Sequence, residues 1–193
     1  GITGQDGSYL AELLMKDGVD VVGVAKPGQS LRNIDRAKAN LNLQYIDLCD
    51  AHAFQDLIAR IKPDQLYHLA APSFVASDPG DDQKIFEAIA TGTQVILSAV
   101  INGAPACRVF LAGSSEMFGA PERAPQNEAT AFQPRSIYGL AKVCAHQTLT
   151  YYRRRFGLFA CTGFLYNHES PRRGDRFVTR KIAASAARIA RGL

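Results

Sequence analysis

Apolar positions along the chain follow two rhythms in turn. Short runs rich in β-branched, aromatic or small apolar residues at 19–25, 43–48, 65–71, 108–112 and 158–166 read as strands, with 108–112 as a parallel one. Between them, apolar residues recur three and four apart. This helical spacing covers 8–16 (Leu10, Leu13, Leu14), 50–62 (Phe54, Leu57, Ile58, Ile61), 84–102 (Ile85, Ile89, Val95, Ile96, Val100), 136–156 and a pattern from 177 onward. Asp50 caps the second helix and Pro63 closes it, while Asn102-Gly103 ends the third. Strand alternating with helix predicts an α/β fold: a parallel sheet with helices on its faces. Two segments carry no rhythm. Residues 28–40 are polar and irregular, with room for one short helix, and 119–135 hold three prolines and mixed charge, as an ordered loop over the end of the sheet would.

The first helix is preceded by Gly1-Ile2-Thr3-Gly4-Gln5-Asp6-Gly7. Glycines there let backbone approach a pyrophosphate, and the helix N-terminus offers unpaired N–H groups and positive potential. With the strand at 19–25 in the place the fingerprint requires, the unit reads as a dinucleotide-binding turn, and the sheet as Rossmann-type and doubly wound. An NAD site usually carries a carboxylate at the end of that second strand to hold the ribose 2′-hydroxyl. Ala25 and Lys26 stand there instead. A cation without a carboxylate fits a 2′-phosphate, so NADP is expected, with Arg32 in support; the alternative is that Lys26 only solvates a loop. Asp47 ends the strand at 43–48, placed to accept from an adenine amino group. Small residues after 65–68 let the cofactor lie close, Ser73 offers a hydroxyl to cofactor or substrate, and His68 reads as a core histidine.

Tyr138 and Lys142 lie at i and i+4 of one helix and share a face, so the ammonium is expected to favour the phenolate and supply a base beside a hydride-transfer site. Tyr-x-x-x-Lys alone is common; the preceding strand ending in Ser114-Ser115-Glu116, and the glycine loop before it, make the set specific. Glu116, two residues after Ser114, adds a second acid/base, which suits oxidation followed by elimination. The dense polar run 167–174, at the carboxyl end of 158–166, reads as ligand contacts.

At 193 residues and 47% hydrophobic, the chain can bury one α/β core. Its formal charge of +4 is mild, but Arg153, Arg154, Arg155, Arg172, Arg173, Arg176, Arg180 and Lys181 bunch late in the chain. Aromatics are sparse among them, with Phe177 alone inside 172–181, and no nucleic-acid motif is present, so a phosphorylated small molecule is the expected anion and nucleic acid is set aside. Cys49, Cys107, Cys144 and Cys161 form no C-x-x-C pair; they are expected reduced, as small buried hydrophobes, and no metal is expected. No apolar run reaches the roughly 18 residues of a membrane span and no leader precedes the glycine loop, so the expectation is a soluble, cytoplasmic protein without a membrane partner. The chain opens inside a glycine loop and stops inside a helical pattern, which reads as a fragment lacking its first strand and most of a C-terminal substrate domain.

Three stretches carry a family resemblance: Gly1-Ile2-Thr3-Gly4-Gln5-Asp6-Gly7-Ser8-Tyr9-Leu10, Ser115-Glu116-Met117-Phe118-Gly119, and Asn167-His168-Glu169-Ser170-Pro171-Arg172-Arg173-Gly174 with Phe177-Val178-Thr179-Arg180-Lys181. Over essentially its whole length the chain resembles the extended short-chain dehydrogenase/reductases and, within them, the GDP-mannose 4,6-dehydratases. The resemblance implies an NADP-binding region at 1–166 and the start of a nucleotide-sugar region at 167–193. It implies that Tyr138 takes the C4 hydroxyl proton, Lys142 holds the nicotinamide ribose, Ser114 bonds the C4 oxygen, and Glu116 removes the C5 proton and helps expel the C6 hydroxyl. By the same correspondence Gly1, Ile2, Thr3, Gly4, Gln5, Asp6, Asp47, Leu48, Leu69, Ala70, Ala71, Pro72, Ser73, His168 and Arg173 would contact NADP. Ser115, Asn167, Val178 and Lys181 would face the sugar nucleotide, together with Ser73 and Ser114. The complete protein would be a homo-oligomer. The chain departs from the family pattern at Gly113-Ser114 (Ser-Thr), Pro72 (Gln), Lys84 (Tyr), Lys26-Pro27 (an Arg pair) and Ile137 (Pro). None of these removes a proton-transfer group. A related nucleotide-sugar epimerase or reductase, and an NADP-binding sensor without turnover, are the alternative readings.

Overall fold

The computed structural model describes residues 1–35, 37, 41–72 and 79–192. Its strands are β1 (Val22–Ala25), β2 (Asn42–Tyr45), β3 (Gln65–His68), β4 (Arg108–Ala112) and β5 (Ala160–Gly163). Its helices are α1 (Gln5–Lys16), α2 (Ala51–Ile61), α3 (Asp82–Phe86), α4 (Gly92–Gly103), α5 (Ile137–Phe156) and α6 (Val178–Ala190). Each lies on a stretch whose periodicity predicts it. Four of the five strands are shorter than the apolar runs that announce them, since the runs continue into flanking residues outside the regular ladders.

All described pairings are parallel, and the strands form two sheets, β1-β2 and β3-β4-β5, in place of the one sheet expected. Between the β1 and β3 edges runs a cleft of about 440 Å³ walled by Leu10, Ala11 and Leu14 of α1 and by Phe54, Leu57 and Ile58 of α2. One end is closed by backbone: the Ile2 N–H donates to the Val24 carbonyl at 3.4 Å, and Gly1 lies against Leu69 and Ala70. A Cβ on Gly1 would come within 2.5 Å of the Ala70 nitrogen, so glycine alone fits there.

The main core joins Phe54 and Ile58 of α2, Val95, Ile96 and Val100 of α4, Val109 and Leu111 of β4, and Ala141, Ala145 and Leu149 of α5. A smaller core gathers Ile2, Ala11, Ala25, Ile34 and Leu41 under α1. The predicted long third helix is continuous from Asp82 to Gly103 but takes a π turn at Glu87–Thr91. Its length and apolarity would let it cross a bilayer, yet much of that surface is already in the main core, the pattern of a core helix. His68 lies inside this region with its Nε2 3.1 Å from the Thr93 hydroxyl, which itself donates to the Ile89 carbonyl at 2.6 Å. Burial and the nearby Lys142 charge hold this imidazole neutral, down to about 3, as a core histidine requires. The cysteines differ from expectation: all four are free, but only Cys107 is buried, and Cys49 and Cys161 are exposed.

Candidate functional site

The carboxyl end of β4 is where the structure gathers Ser114, Glu116 and Tyr138, the residues expected to move protons. Pairing with the β5 side continues past the regular strands, from Gly113 N–H to the Gly163 carbonyl (2.8 Å) and from Ser115 N–H to the Leu165 carbonyl (2.9 Å). Ser114 is thereby fixed and buried, and its Oγ accepts from the Glu116 N–H at 3.2 Å to start the short 3-10 turn Ser115–Met117. Ser136 caps α5 by accepting from the Gly139 N–H at 3.1 Å. Gly139 then docks on the turn so closely that a Cβ would lie 2.5 Å from the Glu116 carbonyl oxygen. That approach sets Tyr138 against the turn: its buried phenol hydrogen-bonds Ser114 and feels the charges of Glu116 and Arg173.

The electrostatics depart from the expected activated phenolate. Burial raises the Tyr138 phenol above its ordinary range; the Ser114 hydrogen bond lowers it, Glu116 raises it and Arg173 lowers it. Lys142 shares the face as its spacing predicts, with Nζ 5.8 Å from the Tyr138 ring centre, but it is buried and donates to the Ala112 carbonyl at 2.7 Å. Desolvation brings it down to about 8. The lysine is thus tied to the strand end by one of its donors.

The glycine loop forms a tight cradle at the head of α1. A Cβ on Gly7 would lie 2.2 Å from the Gly1 carbonyl oxygen, and no side chain caps the helix at Gly4. Ile2 and Thr3 are buried, and among the described residues Thr3 Oγ1 is one of two buried side-chain polar atoms without a hydrogen-bond partner. At the ends of β1 and β2, Lys26 pairs with Asp47 at 3.1 Å. Asp47 also accepts from the Cys49 N–H at 3.0 Å; that bond, then Lys26, holds its carboxyl below the usual range. The two residues expected to serve a 2′-phosphate and an adenine therefore hold each other across adjacent strand ends. Leu48 is half-buried on the main core, Pro72 is exposed, and Ser73 lies outside the described residues.

The polar run after β5 folds back over α1. His68's counterpart at the rim, His168, sets Nε2 2.8 Å from Asp6 Oδ1 and Nδ1 2.7 Å from the Tyr166 carbonyl. With acceptors at both nitrogens the imidazolium is favoured, and the Tyr166 carbonyl is the largest of the effects that raise it. Gln5 donates to the His168 carbonyl at 3.3 Å and accepts from the Ser170 hydroxyl at 2.7 Å. Arg173 stacks on Phe177 at 3.7 Å, 3.5 Å from Glu169, and its Nε is the other buried polar atom without a hydrogen bond. Asn167 is exposed on this loop, while Val178 and Lys181 are exposed on α6, a helix with no buried residue.

Three features escape a reading of the sequence. Gly139 is one. A second is the aromatic cluster of Phe118, Phe132, Phe164 and His146, with Phe118 5.4 Å from Phe132 and 5.2 Å from Phe164. It pins the 119–135 loop to the rim, helped by the Gln133 N–H donating to the Met117 carbonyl at 3.1 Å. The third is Arg172. Its signal is the polar stripe Gln5, Ser8, Tyr9 and Glu12, spaced three and four apart along one face of α1.

Comparison with known proteins places these features in one family. The family model of GDP-mannose 4,6 dehydratase matches residues 1–193. The chain is 44% identical over 207 aligned residues to GDP-mannose 4,6 dehydratase 1 of Arabidopsis thaliana, covering 100% of this chain and 57% of that protein. It is 40% identical to the GDP-mannose 4,6-dehydratase of Vibrio cholerae, covering 100% and 55%, and 39% identical to the human protein, covering 98% and 54%. The chain thus spans little more than half the length of these relatives. Among solved structures it superposes on a putative epimerase from Burkholderia cenocepacia with a TM-score of 0.86 at 29% identity, covering 98% of this chain and 60% of that one. It also superposes on a dTDP-glucose 4,6-dehydratase from Streptomyces venezuelae with a TM-score of 0.88 at 20% identity, covering 97% and 60%, which speaks for the Rossmann-type fold alone. A parallel α/β sheet with a glycine cradle, a Tyr/Lys pair and a glutamate turn at its rim, matched end to end by one family model, establishes that the chain belongs to the GDP-mannose 4,6-dehydratase family.

Proposed function

We propose that the complete protein converts GDP-D-mannose to GDP-4-dehydro-6-deoxy-D-mannose and water, with NADP as its bound cofactor. The observation that carries this is the packing of Gly139 on the Glu116 backbone, which sets the neighbouring Tyr138 phenol in the field of the Glu116 carboxylate, in a chain that matches the family over its whole length. Plain hydride transfer uses only the first of them. Residues 1–166 form the cofactor region in this reading, and 167–193 begin the sugar-nucleotide region.

The residues present fit a dinucleotide. The cradle of Gly1, Gly4 and Gly7 admits no Cβ at Gly1 or Gly7, Thr3 Oγ1 is buried without a partner beside it, and Gln5 and Asp6 open α1 with its N–H groups uncapped. Leu69, Ala70 and Ala71 line the approach, Lys142 serves the ribose, and His168 and Arg173 bring positive charge from the opposite side. Lys26 favours NADP over NAD; a 2′-phosphate has more charge than Asp47 with which to draw it. Relatives of this fold solved with NAD show that the fold also accepts the other dinucleotide. When bound, the dinucleotide would supply a reversible hydride acceptor, so that oxidation at C4 and reduction at C6 would leave the redox balance unchanged.

Tyr138, as its phenolate, accepts the C4 hydroxyl proton while Ser114 bonds the oxygen that becomes a ketone. That ketone acidifies C5, whose proton passes to Glu116, and Glu116 delivers it to the departing C6 hydroxyl, which leaves as water; as C6 is then reduced, the proton held by Tyr138 passes to C5 and completes the product. Ser115, Asn167, Val178 and Lys181 face the sugar nucleotide. The test is the complete protein supplied with GDP-mannose and either NADP+ or NAD+. The parent should give product without net NADPH, and Glu116→Gln should oxidise C4 and stall, so that bound NADPH accumulates. Turnover without loss of water would replace this reading with an epimerase, and binding without turnover with a sensor.

A further inference from the structure

The loop after β5 packs three cationic side chains, His168, Arg172 and Arg173, into six residues of irregular backbone. Like charges this close repel one another, and the loop has no ladder bonds to hold it. Each cation is instead matched to a carboxylate: His168 to Asp6, Arg172 to Glu12 and Arg173 to Glu169. Two of these carboxylates, Asp6 and Glu12, belong to α1, the helix headed by the glycine cradle.

Arg172 is the most completely engaged of the three. Its Nη1 donates to Ser8 Oγ at 3.0 Å and its Nη2 to Glu12 Oε1 at 2.6 Å, while its guanidinium lies over the Tyr9 ring at 4.0 Å. The acceptor is prepared for it: Ser8 is buried and spends its own proton on the Gln5 carbonyl at 2.8 Å, leaving its lone pairs to Arg172. The Arg172 N–H also donates to the Ser170 hydroxyl at 3.1 Å, and that hydroxyl bonds Gln5. Ser8, Tyr9 and Glu12 occupy successive positions on one face of α1, so a planar fork engages two turns of the helix at once. These contacts of Arg172 are with α1 and its own loop, and nothing in the proposed chemistry uses it.

We propose that Arg172 is a positioning residue: it clasps α1 through Ser8, Tyr9 and Glu12 and so holds His168 and Arg173 over the dinucleotide cradle, coupling cofactor binding to sugar-nucleotide binding. The coupling follows from chain connectivity. The same loop runs on through Asp175 into α6, so a ligand that orders either end of the clasp lowers the ordering cost for a ligand at the other. This rests on the dinucleotide and sugar-nucleotide reading of the site.

The experiment uses the complete protein and whichever of NADP+ or NAD+ the parent binds, titrated calorimetrically with and without GDP. In the parent, GDP should tighten the dinucleotide. Arg172→Met should weaken the dinucleotide on the order of tenfold, the worth of one charged, two-point contact, and abolish the effect of GDP. Arg172→Lys keeps the charge but lacks the fork and should recover less than half of that loss on a logarithmic scale. Glu12→Gln, a mild change at a half-buried position of α1, should weaken binding in the same direction, and combining it with Arg172→Met should cost less than the two separately. A purely structural arginine would lower the melting temperature and leave both the affinity and its response to GDP within twofold of the parent; that result, or full rescue by lysine, overturns the proposal. A parent that binds dinucleotide but neither GDP nor GDP-mannose would sink the dehydratase reading, while the loss of dinucleotide affinity in Arg172→Met would still decide the clasp.

Discussion

Gly139→Ala tests the contact that brings the two proton carriers together. A methyl at this position would sit 2.5 Å from the Glu116 carbonyl oxygen and 3.2 Å from its carbonyl carbon. Both are backbone atoms of the 3-10 turn, so no rotamer change relieves the overlap. Ordinary contact needs roughly 1 Å more room, which must come from sliding the first turn of α5 away from the Ser115–Met117 turn. Two stability effects oppose each other. Alanine is favoured over glycine in a helix by about 1 kcal/mol, and forcing a methyl into packed surroundings costs about 1–3 kcal/mol. Their difference leaves a net loss of roughly 0–2 kcal/mol, which a protein of this size survives. Activity should suffer more. Tyr138 is the neighbouring residue and moves with the turn, and a displacement of about 1 Å between catalytic groups costs on the order of 100-fold in rate. The assay is turnover of GDP-mannose by the complete protein, alongside its thermal melt and dinucleotide affinity. We expect a rate about 100-fold below the parent, with a small drop in melting temperature and an affinity within threefold. A rate within threefold of the parent would refute the idea that this glycine sets the spacing of Tyr138 and Glu116.

Two other substitutions probe the same rim. Tyr138→Phe should slow C4 oxidation by a factor on the order of 100 or more in single-turnover measurements, and a change under twofold would take the phenol out of the chemistry. Burial holds Lys142 at about 8 in the folded protein against an ordinary 10.5, so between these limits the unfolded chain holds the proton that the folded one has lost. Its contribution therefore raises stability as pH climbs from 8 towards 10.5. Urea midpoints of the parent, referred to those of Lys142→Met, should rise from pH 8 to pH 10; a flat or falling difference would show that the lysine is not desolvated in the folded protein.

The residues alone determined which elements exist and in what order. Helical and strand periodicity, the Asp50 cap and the Pro63 stop are local properties, and the structure reproduces them within a few residues. The glycine turn and the Tyr138/Lys142 spacing were legible for the same reason, since a motif of seven residues or a single helical turn carries its geometry with it. What lay beyond reach is what joins residues far apart in sequence. The clasp spans some 160 positions, from Ser8 and Glu12 to Arg172, and the Gly139 contact reaches back to Glu116 across a loop without periodicity. Charge states belong to the same class: the Tyr138 phenol is raised, and Lys142 is spent on the Ala112 carbonyl, because burial depends on every element packed around them. Spacing says which side chains share a face, but only the packed fold decides how much water that face has lost and which distant carboxylate answers each cation.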